Sequence, residues 1–90
     1  MINYMATYKV HVIIENKPGI RDPEGDTILN DLVLKGSFSS ISKIRSAKML
    51  KFEIKEKNKN LAKKKIQTIC DELRIYNPVV SKISIEAFDD

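Results

Sequence analysis

The stretch NKPGIRDPEGDTI, Asn16 to Ile28, holds two prolines and two glycines and then runs into an apolar segment. Lys17-Pro18-Gly19 predicts the end of the secondary-structure element that precedes it. Asp22 followed by Pro23 marks a helix start, because the carboxylate can accept hydrogen bonds from free amides and proline is tolerated at the first helical position. The stretch therefore predicts a strand end and a helix start, joined by a short corner at Gly19 to Arg21.

The residues on either side of this stretch have different periods. YKVHVIIE, Tyr8 to Glu15, alternates with a period of two and predicts a half-buried strand. The inward face would carry Val10, Val12 and Ile14, and the outward face Lys9, His11 and Glu15. After the corner, helical spacing is shown by Ile28, Leu29, Leu32 and Val33, with Lys35 in the last turn and Gly36 as the C-terminal stop.

The second half repeats this order with a hairpin in place of the corner. Ile41 to Ser46 is a weak strand candidate, and Leu50 to Ile54 is a strong one with Leu50, Phe52 and Ile54 inward. A tight reversal at Ser46 to Lys48 would join them.

A second helix is predicted after the polar loop Lys55 to Asn60, whose last residue is a plausible cap. Its apolar stripe consists of Ala62, Ile66, Ile69, Cys70 and Leu73. Asn77-Pro78 would end this helix, because the residue before proline is driven out of the helical region. The last strand, Ser81 to Glu86, places Ile83 and Ile85 on one face.

The order is therefore βαββαβ, which predicts an α+β fold: a two-layer sandwich with a mostly antiparallel sheet and both helices on one face. Residues 1–90 are expected to form a single domain with a thin core. The net charge of +4 is compatible with an acidic partner but excludes little. No segment has the pattern of a signal peptide or a membrane span, and the single cysteine favours a reducing compartment, so we expect a soluble, cytoplasmic protein.

Residues that could carry chemistry are few. Cys70 lies on the apolar stripe of the second helix, and His11 has no second histidine to complete a common metal set. The glycines fit no phosphate-binding motif. The carboxylates of Asp22, Glu24 and Asp26 cluster at a helix start, where they offset the helix dipole. We therefore expect no catalytic, cofactor-binding or metal-binding residue in this chain.

A lysine run surrounds the second helix, comprising Lys55, Lys57, Lys59 and Lys63 to Lys65. This run is compatible with nucleic acid as a partner. RNA-binding βαββαβ sheets, however, stack bases on outward aromatic side chains, and the outward positions of the strong central strand here are Lys51 and Glu53, so that platform is missing. A solvated helix face or a docking surface for an acidic protein is preferred, and neither nucleic acid nor membrane is expected as a partner.

Three stretches together resemble the PurS family, the small subunits of the phosphoribosylformylglycinamidine (FGAM) synthase complex. They are KPGIRDPEG (17–25), KIRSAKMLKFEI (43–54), and IQTICDEL (66–73) followed by NPVV (77–80). The resemblance runs from about Tyr8 to Glu86 and leaves Met1 to Ala6 as an N-terminal extension. Ala47 and Ile75-Tyr76 depart from the family pattern, which commonly has Gly and Leu-Ala at these places.

The resemblance implies a non-catalytic accessory subunit of a carbon–nitrogen ligase in purine biosynthesis. The complex uses ATP, Mg and glutamine, and none of these is expected to bind this chain. A PurL-like synthetase and a PurQ-like glutaminase would be the partners. This chain would bridge them and support ammonia transfer, as a homodimer or tetramer, because Ile13, Val79 and Val80 are left over after the core is filled.

The partner interface is predicted at three places. These are Asp22, Pro23 and Gly25 beside the corner, Arg45 and Lys48 on the hairpin, and Asn77 and Pro78 after the second helix. Replacing Arg45 and Lys48 with glutamate is expected to weaken assembly and leave the isolated fold intact. The alternative function is a small-molecule-binding regulatory module of the ACT type, although RDPEG intervenes here between Pro-Gly and the helix.

Overall fold

The computed structural model describes residues 4–89, so Met1 to Asn3 of the predicted extension lie outside the described residues. The elements are β1 (Ala6–Asn16), α1 (Pro23–Thr27) with a π-helical segment (Ile28–Val33), β2 (Lys48–Glu56), α2 (Lys59–Glu72) and β3 (Ser81–Asp89). The three strands form one antiparallel sheet in the order β2-β1-β3. The predicted α+β class is confirmed, with the order βαβαβ.

The core lies between the sheet and α2. Its fully buried members are Val10, Val12, Ala62, Ile66 and Cys70. The inward side chains of β2 and β3, including Phe52 and Ile85, are only partly buried against them. The alternation predicted for the strands is confirmed, and the stripe predicted for α2 is confirmed except at Leu73, which is 70% exposed because α2 ends before it.

The strand predicted at Ile41 to Ser46 does not form, and there is no tight hairpin at Ser46 to Lys48. The physical reason lies in the hydrogen bonds of this segment. The Arg45 guanidinium donates to three carbonyl oxygens near the end of β1, and Ser46 donates to the carboxylate of Asp22. The segment is therefore bound to the chain around the corner instead of pairing with β2.

The first helix also differs from its prediction. Asp22 caps it and Pro23 begins it, as predicted. After Thr27 the helix widens to a π-helix, in which the Leu34 amide donates to the Leu29 carbonyl oxygen at 2.9 Å. Gly36 is not the left-handed stop: that conformation is adopted by Ser37, at φ 69°.

Both ends of α2 are set by residues other than those predicted. The cap is Asn58, whose Oδ1 accepts from the Leu61 amide at 2.9 Å, while Asn60 lies within the helix. The C-terminal end is formed by Arg74 at φ 52°, which lets the Ile75 amide donate to the Cys70 carbonyl oxygen at 3.0 Å. The helix therefore ends before Asn77-Pro78.

We call residues 23–41 the arm. Among residues 4–89, neither helical part of the arm lies beside a strand or α2, whereas α2 packs against all three strands. The arm extends beyond one end of the sheet, and the molecule measures 63 × 27 × 14 Å. One face of the sheet is thus covered by α2 alone.

Because the core is thin, truncating its central side chain should lower the free energy of unfolding strongly. Ile66→Ala removes a buried side chain and leaves a cavity, which should lower the free energy of unfolding by about 3 kcal/mol. Leu73→Ala changes an exposed side chain just after the end of the same helix and should lower the free energy of unfolding by less than about 0.5 kcal/mol. Urea unfolding at one fixed protein concentration measures both. If the two substitutions lowered the free energy of unfolding equally, Ile66 would not be part of the core.

Candidate functional site

The predicted interface residues come together at one end of the sheet. β1 ends there and β2 and β3 begin there, because Ile14 pairs with Lys48 and Asn16 pairs with Ser81. The corner follows β1 at this end, and its first residues are tied to the last turn of the chain by a hydrogen bond of 2.9 Å from the Lys17 amide to the Val80 carbonyl oxygen. The sequence-predicted sites beside the corner, at the start of β2 and before β3 therefore share one region.

Asp22 is the buried centre of this region, with only 5% of its surface exposed. Its Oδ1 accepts from the Gly25 amide at 3.1 Å, which caps α1. The Ser46 amide donates to Oδ2, and the Ser46 hydroxyl oxygen lies 2.9 Å from Oδ1 and 3.0 Å from Oδ2. Hydrogen bonds from the amides of Ser46 and Gly25 lower the pKa of Asp22, with smaller contributions from the Ser46 hydroxyl and the positive charge of Arg45.

Arg45 fastens the same segment to the end of β1. Its Nη1 donates to the Ile20 carbonyl oxygen at 2.9 Å, and its Nη2 donates to the carbonyl oxygens of Asn16 at 3.0 Å and Lys17 at 3.2 Å. A planar guanidinium with several donors suits such a set of carbonyls. The side chain is therefore engaged within the chain, and we expect its replacement to destabilise the isolated fold as well as any assembly.

Gly25 permits the close approach that these bonds require. A Cβ atom at this position would lie 2.1 Å from the carbonyl oxygen of Ile44 and 2.8 Å from its carbonyl carbon. Backbone atoms cannot move aside as a flexible side chain can. The first turn of α1 and the segment at Ile44 can therefore meet only if residue 25 is glycine.

Asn77 and Pro78 shape the turn into β3. The Asn77 Oδ1 accepts from the Val79 amide at 3.0 Å, and its carbonyl oxygen accepts from the Ser81 amide at 2.8 Å. Both residues are exposed, as are Pro23 and Lys48. Of the seven predicted interface residues, these four present surface, whereas Asp22, Gly25 and Arg45 hold the region together.

The remaining candidates are explained by their surroundings. Burial raises the pKa of the Cys70 thiol, with a further contribution from the charge of Asp71, so this sulfur is a poor nucleophile. The His11 ring lies 4.8 Å from that of Phe88 on the outward face of the sheet. Asp26 pairs with Arg21 at 3.4 Å.

Within residues 4–89, no three or more His, Cys, Asp or Glu side chains are grouped as a metal site would require.

In the same described range, no helix has the length and apolar character needed to cross a membrane.

The departure at Ile75-Tyr76 has a structural role after α2. Both side chains pack against the core. The Tyr76 hydroxyl donates to Oδ1 of Asp71 at 3.0 Å, and this hydrogen bond raises the pKa of Tyr76. The Leu-Ala pair that the resemblance leads us to expect here would lack this bond. In this chain the hydrogen bond between Tyr76 and Asp71 helps to hold the connection between α2 and β3.

Sequence reasoning missed two features of this region. Ser46 was not singled out, although it binds Asp22 with both its amide and its hydroxyl. The exposed apolar residues of the arm were also missed. The signal for them was present in Phe38 and Ile41, two large apolar residues in a stretch otherwise rich in serine.

Acid should weaken the Asp22 contacts. The pKa of Asp22 is lower in the folded chain than in the unfolded chain, so the unfolded chain binds the proton more readily. The stability that this carboxylate contributes is therefore present above its ordinary pKa of about 4. It is lost as the pH falls through the lower pKa of the folded chain. Urea unfolding at pH 7, 4 and 3 should show this loss in the wild type and a smaller one in Asp22→Asn. Asp31→Asn, which changes an exposed carboxylate on the arm, should keep the wild-type dependence. An unchanged pH dependence in Asp22→Asn would contradict the assignment.

Arg45 and Lys48 should differ in their effect on stability. Arg45→Gln removes the charged donor from three carbonyl oxygens and should lower the free energy of unfolding by about 2 kcal/mol. Lys48→Gln changes an exposed side chain at the start of β2 and should lower it by less than about 0.5 kcal/mol. Urea denaturation of the two variants checks this. A stable Arg45→Gln variant would mean that these bonds do not hold the segment.

Comparison with known proteins identifies the family. The sequence model of the PurS family, described as phosphoribosylformylglycinamidine (FGAM) synthase, matches residues 9–89. The synthase subunit PurS of Archaeoglobus fulgidus is 36% identical over 82% of this chain and 90% of the relative. That of Methanocaldococcus jannaschii is 32% identical over 88% of this chain and 93% of the relative.

Solved structures agree with these sequence matches. The purS subunit of the synthase from Thermotoga maritima aligns with a TM-score of 0.82 at 26% identity, covering 94% of this chain and 95% of that one. A chain in the structure of PurLQS from the same organism aligns with a TM-score of 0.80 at 26% identity, covering 93% of this chain and all of that one. These matches do not support the ACT-type alternative. The chain belongs to the PurS family of FGAM synthase subunits.

Proposed function

We propose that this chain is a non-catalytic accessory subunit of FGAM synthase that bridges the synthetase and glutaminase subunits and supports ammonia transfer between them. The single observation that carries the proposal is the alignment over 93% of the chain with a chain of the T. maritima PurLQS structure. The buried Cys70 thiol supports it, because a glutaminase nucleophile must be accessible and readily ionised.

The chemistry of the complex is divided accordingly. ATP, Mg and glutamine are bound by the partner subunits and not by this chain. Ammonia released from glutamine into water is lost by dilution and protonation. A subunit that holds two active sites in a fixed relation and shields the route between them raises productive transfer, although it performs no chemical step itself.

The exposed residues at the corner end of the sheet are the proposed contact surface. Pro23, Lys48, Asn77 and Pro78 present their side chains there on a rigid support, since Asp22 and Arg45 fix the backbone beneath them. Lys48 contributes a positive charge next to the open edge of β2, in a cavity that it shares with Glu15 and Glu24, and it could pair with a carboxylate on a strand or loop of a partner. The chain is further proposed to act in the cytoplasm as a homodimer or tetramer.

Glutamine-dependent amidine formation tests the proposed function. Purified synthetase and glutaminase chains should turn over glutamine only when this chain is added, whereas turnover driven by ammonium should need it little. The two assays share every component except the nitrogen source. If the chain changes neither activity and co-elutes with neither subunit, the proposal is wrong.

Charge reversal at Lys48 tests the proposed contact surface. Lys48→Glu should weaken assembly with the partner subunits about tenfold, equivalent to about 1.4 kcal/mol, and leave thermal stability unchanged. Lys51→Glu, an identical change at an exposed position of the same strand, is the matched control and should assemble as the wild type does. Titration of the partner subunits with each variant measures the difference. Equal affinities of Lys48→Glu and the control would exclude Lys48 from the interface.

A further inference from the structure

A cavity opens where α2 ends and the chain turns towards β3. It has a volume of about 320 Å³ and is lined by Asp71, Arg74, Tyr76 and Pro78. Ligand sites in proteins span about 300–1,000 Å³, so this cavity is suited to one side chain and not to a whole cofactor. We call it the end pocket. Because Pro78 also belongs to the proposed contact surface, the end pocket continues that surface to the end of α2.

The Tyr76 side chain is held in place from two directions. It packs against the core, and its hydroxyl donates to Oδ1 of Asp71 at 3.0 Å. This hydrogen bond raises the pKa of Tyr76, so the hydroxyl keeps its proton and remains the donor. The residue that follows is fixed as well, because the Asn77 carbonyl oxygen accepts from the Ser81 amide at 2.8 Å. A ring that is already ordered loses little conformational entropy when another group packs on it.

Asp71 has one oxygen atom available to a partner. Its Oδ1 accepts hydrogen bonds from the Tyr76 hydroxyl and from Nε2 of Gln67, each at 3.0 Å. Within residues 4–89, its Oδ2 has no hydrogen-bond partner. A carboxylate has about four acceptor sites, two on each oxygen. A donor group that enters the end pocket can therefore bind Oδ2 without breaking the bonds made by Oδ1.

Arg74 carries a side chain at a position that favours glycine. Its φ is 52°, in the left-handed region where a helix end most often has glycine. In the described part of the chain, its guanidinium makes no hydrogen bond and no ion pair. A planar guanidinium stacks on aromatic rings. Arg74 therefore offers the end pocket a flat, unengaged cation.

The charges of the end pocket favour a neutral occupant. Arg74 would repel a cation, and Asp71 would repel an anion. Glu72 does not change this balance, because it lines a different cavity. The rings of Tyr76 and Pro78 favour an aromatic body, and the available carboxylate oxygen requires an N–H or O–H donor. Tryptophan and tyrosine side chains combine a neutral aromatic body with such a donor.

We propose that the end pocket receives a tryptophan or tyrosine side chain of a partner subunit. The ring of this side chain stacks on the Arg74 guanidinium, and its N–H or O–H donates to Oδ2 of Asp71. Aromatic side chains and arginine in pockets of this kind carry much of the binding energy of protein interfaces. The inference rests on the proposed function and adds an anchoring contact to its interface.

Arg74→Gly and Ser37→Gly form a matched pair that tests the end pocket. Among residues 4–89, these are the two non-glycine residues with positive φ, at 52° and 69°, but Ser37 lies on the arm. Calorimetric titration should show a dissociation constant raised at least tenfold in Arg74→Gly for the synthetase or the glutaminase subunit, and wild-type affinities in Ser37→Gly. Urea unfolding should show both variants no less stable than the wild type, because glycine suits these conformations. Equal affinities of the two variants for both subunits would overturn the proposal.

Arg74→Lys separates stacking from charge. This substitution keeps the positive charge and removes the planar guanidinium. It should raise the dissociation constant for the same subunit several-fold, because an ammonium group does not stack as a planar guanidinium does. Wild-type affinity in Arg74→Lys would mean that the charge alone acts, and the aromatic occupant would be wrong.

Nuclear magnetic resonance tests the class of occupant on the isolated chain. N-acetyltryptophanamide is the probe, and N-acetylleucinamide is the control without an aromatic ring. The tryptophan compound should shift the amide signals of Asp71, Arg74 and Tyr76 in the wild type, and should shift them much less in Arg74→Gly. Shifts of equal size with the leucine compound, or none with the tryptophan compound, would contradict the proposal.

The titrations also separate this inference from the proposed function. A wild-type chain that binds both subunits, together with an Arg74→Gly variant that binds them equally well, would refute the end pocket and leave the accessory role intact. A wild-type chain that binds neither subunit would refute the accessory role, and the anchoring contact with it.

Discussion

The carboxylate of Asp22 is the contact on which the rest of the structure depends. It caps α1 through the Gly25 amide and binds Ser46, 24 residues further along the chain. A buried carboxylate is tolerated only when hydrogen bonds compensate its lost hydration, and here the amides of Ser46 and Gly25 do so. Together with Arg45, this contact holds the segment from Ile44 to Ser46 at the corner, and the arm leaves the sheet.

The direction of the arm determines how much core one chain can build. With the arm extended, α2 is the one helix in the described part of the chain that packs on the sheet. Among the apolar side chains of residues 4–89, nearly complete burial is reached by Val10 and Val12 of the central strand and by three residues of α2. The inward side chains of the two edge strands are partly open. Faces of the sheet that stay uncovered in this way are available for contacts with other proteins.

The seven residues predicted at the interface divide by burial into support and surface. Asp22, Gly25 and Arg45 fix the backbone, and Pro23, Lys48, Asn77 and Pro78 present side chains above it. The same residue types serve both purposes, which is why the sequence could not separate them. Burial and hydrogen-bond partners separate them directly, because a side chain that is fully engaged within the chain has little left to offer another protein.

The sequence by itself determined the elements whose signals are local. Alternation placed the inward faces of β1, β2 and β3, the Asp22-Pro23 pair placed the start of α1, and the order of three motifs identified the family. It predicted a strand at Ile41 to Ser46 that does not form, because the competing partners of that segment, Asp22 and the carbonyls before it, are distant in sequence. It also placed the end of α2 at Asn77-Pro78, whereas Arg74 ends the helix earlier. Only the tertiary structure decided where the arm points and which apolar residues stay exposed, since both follow from contacts between residues more than 20 positions apart.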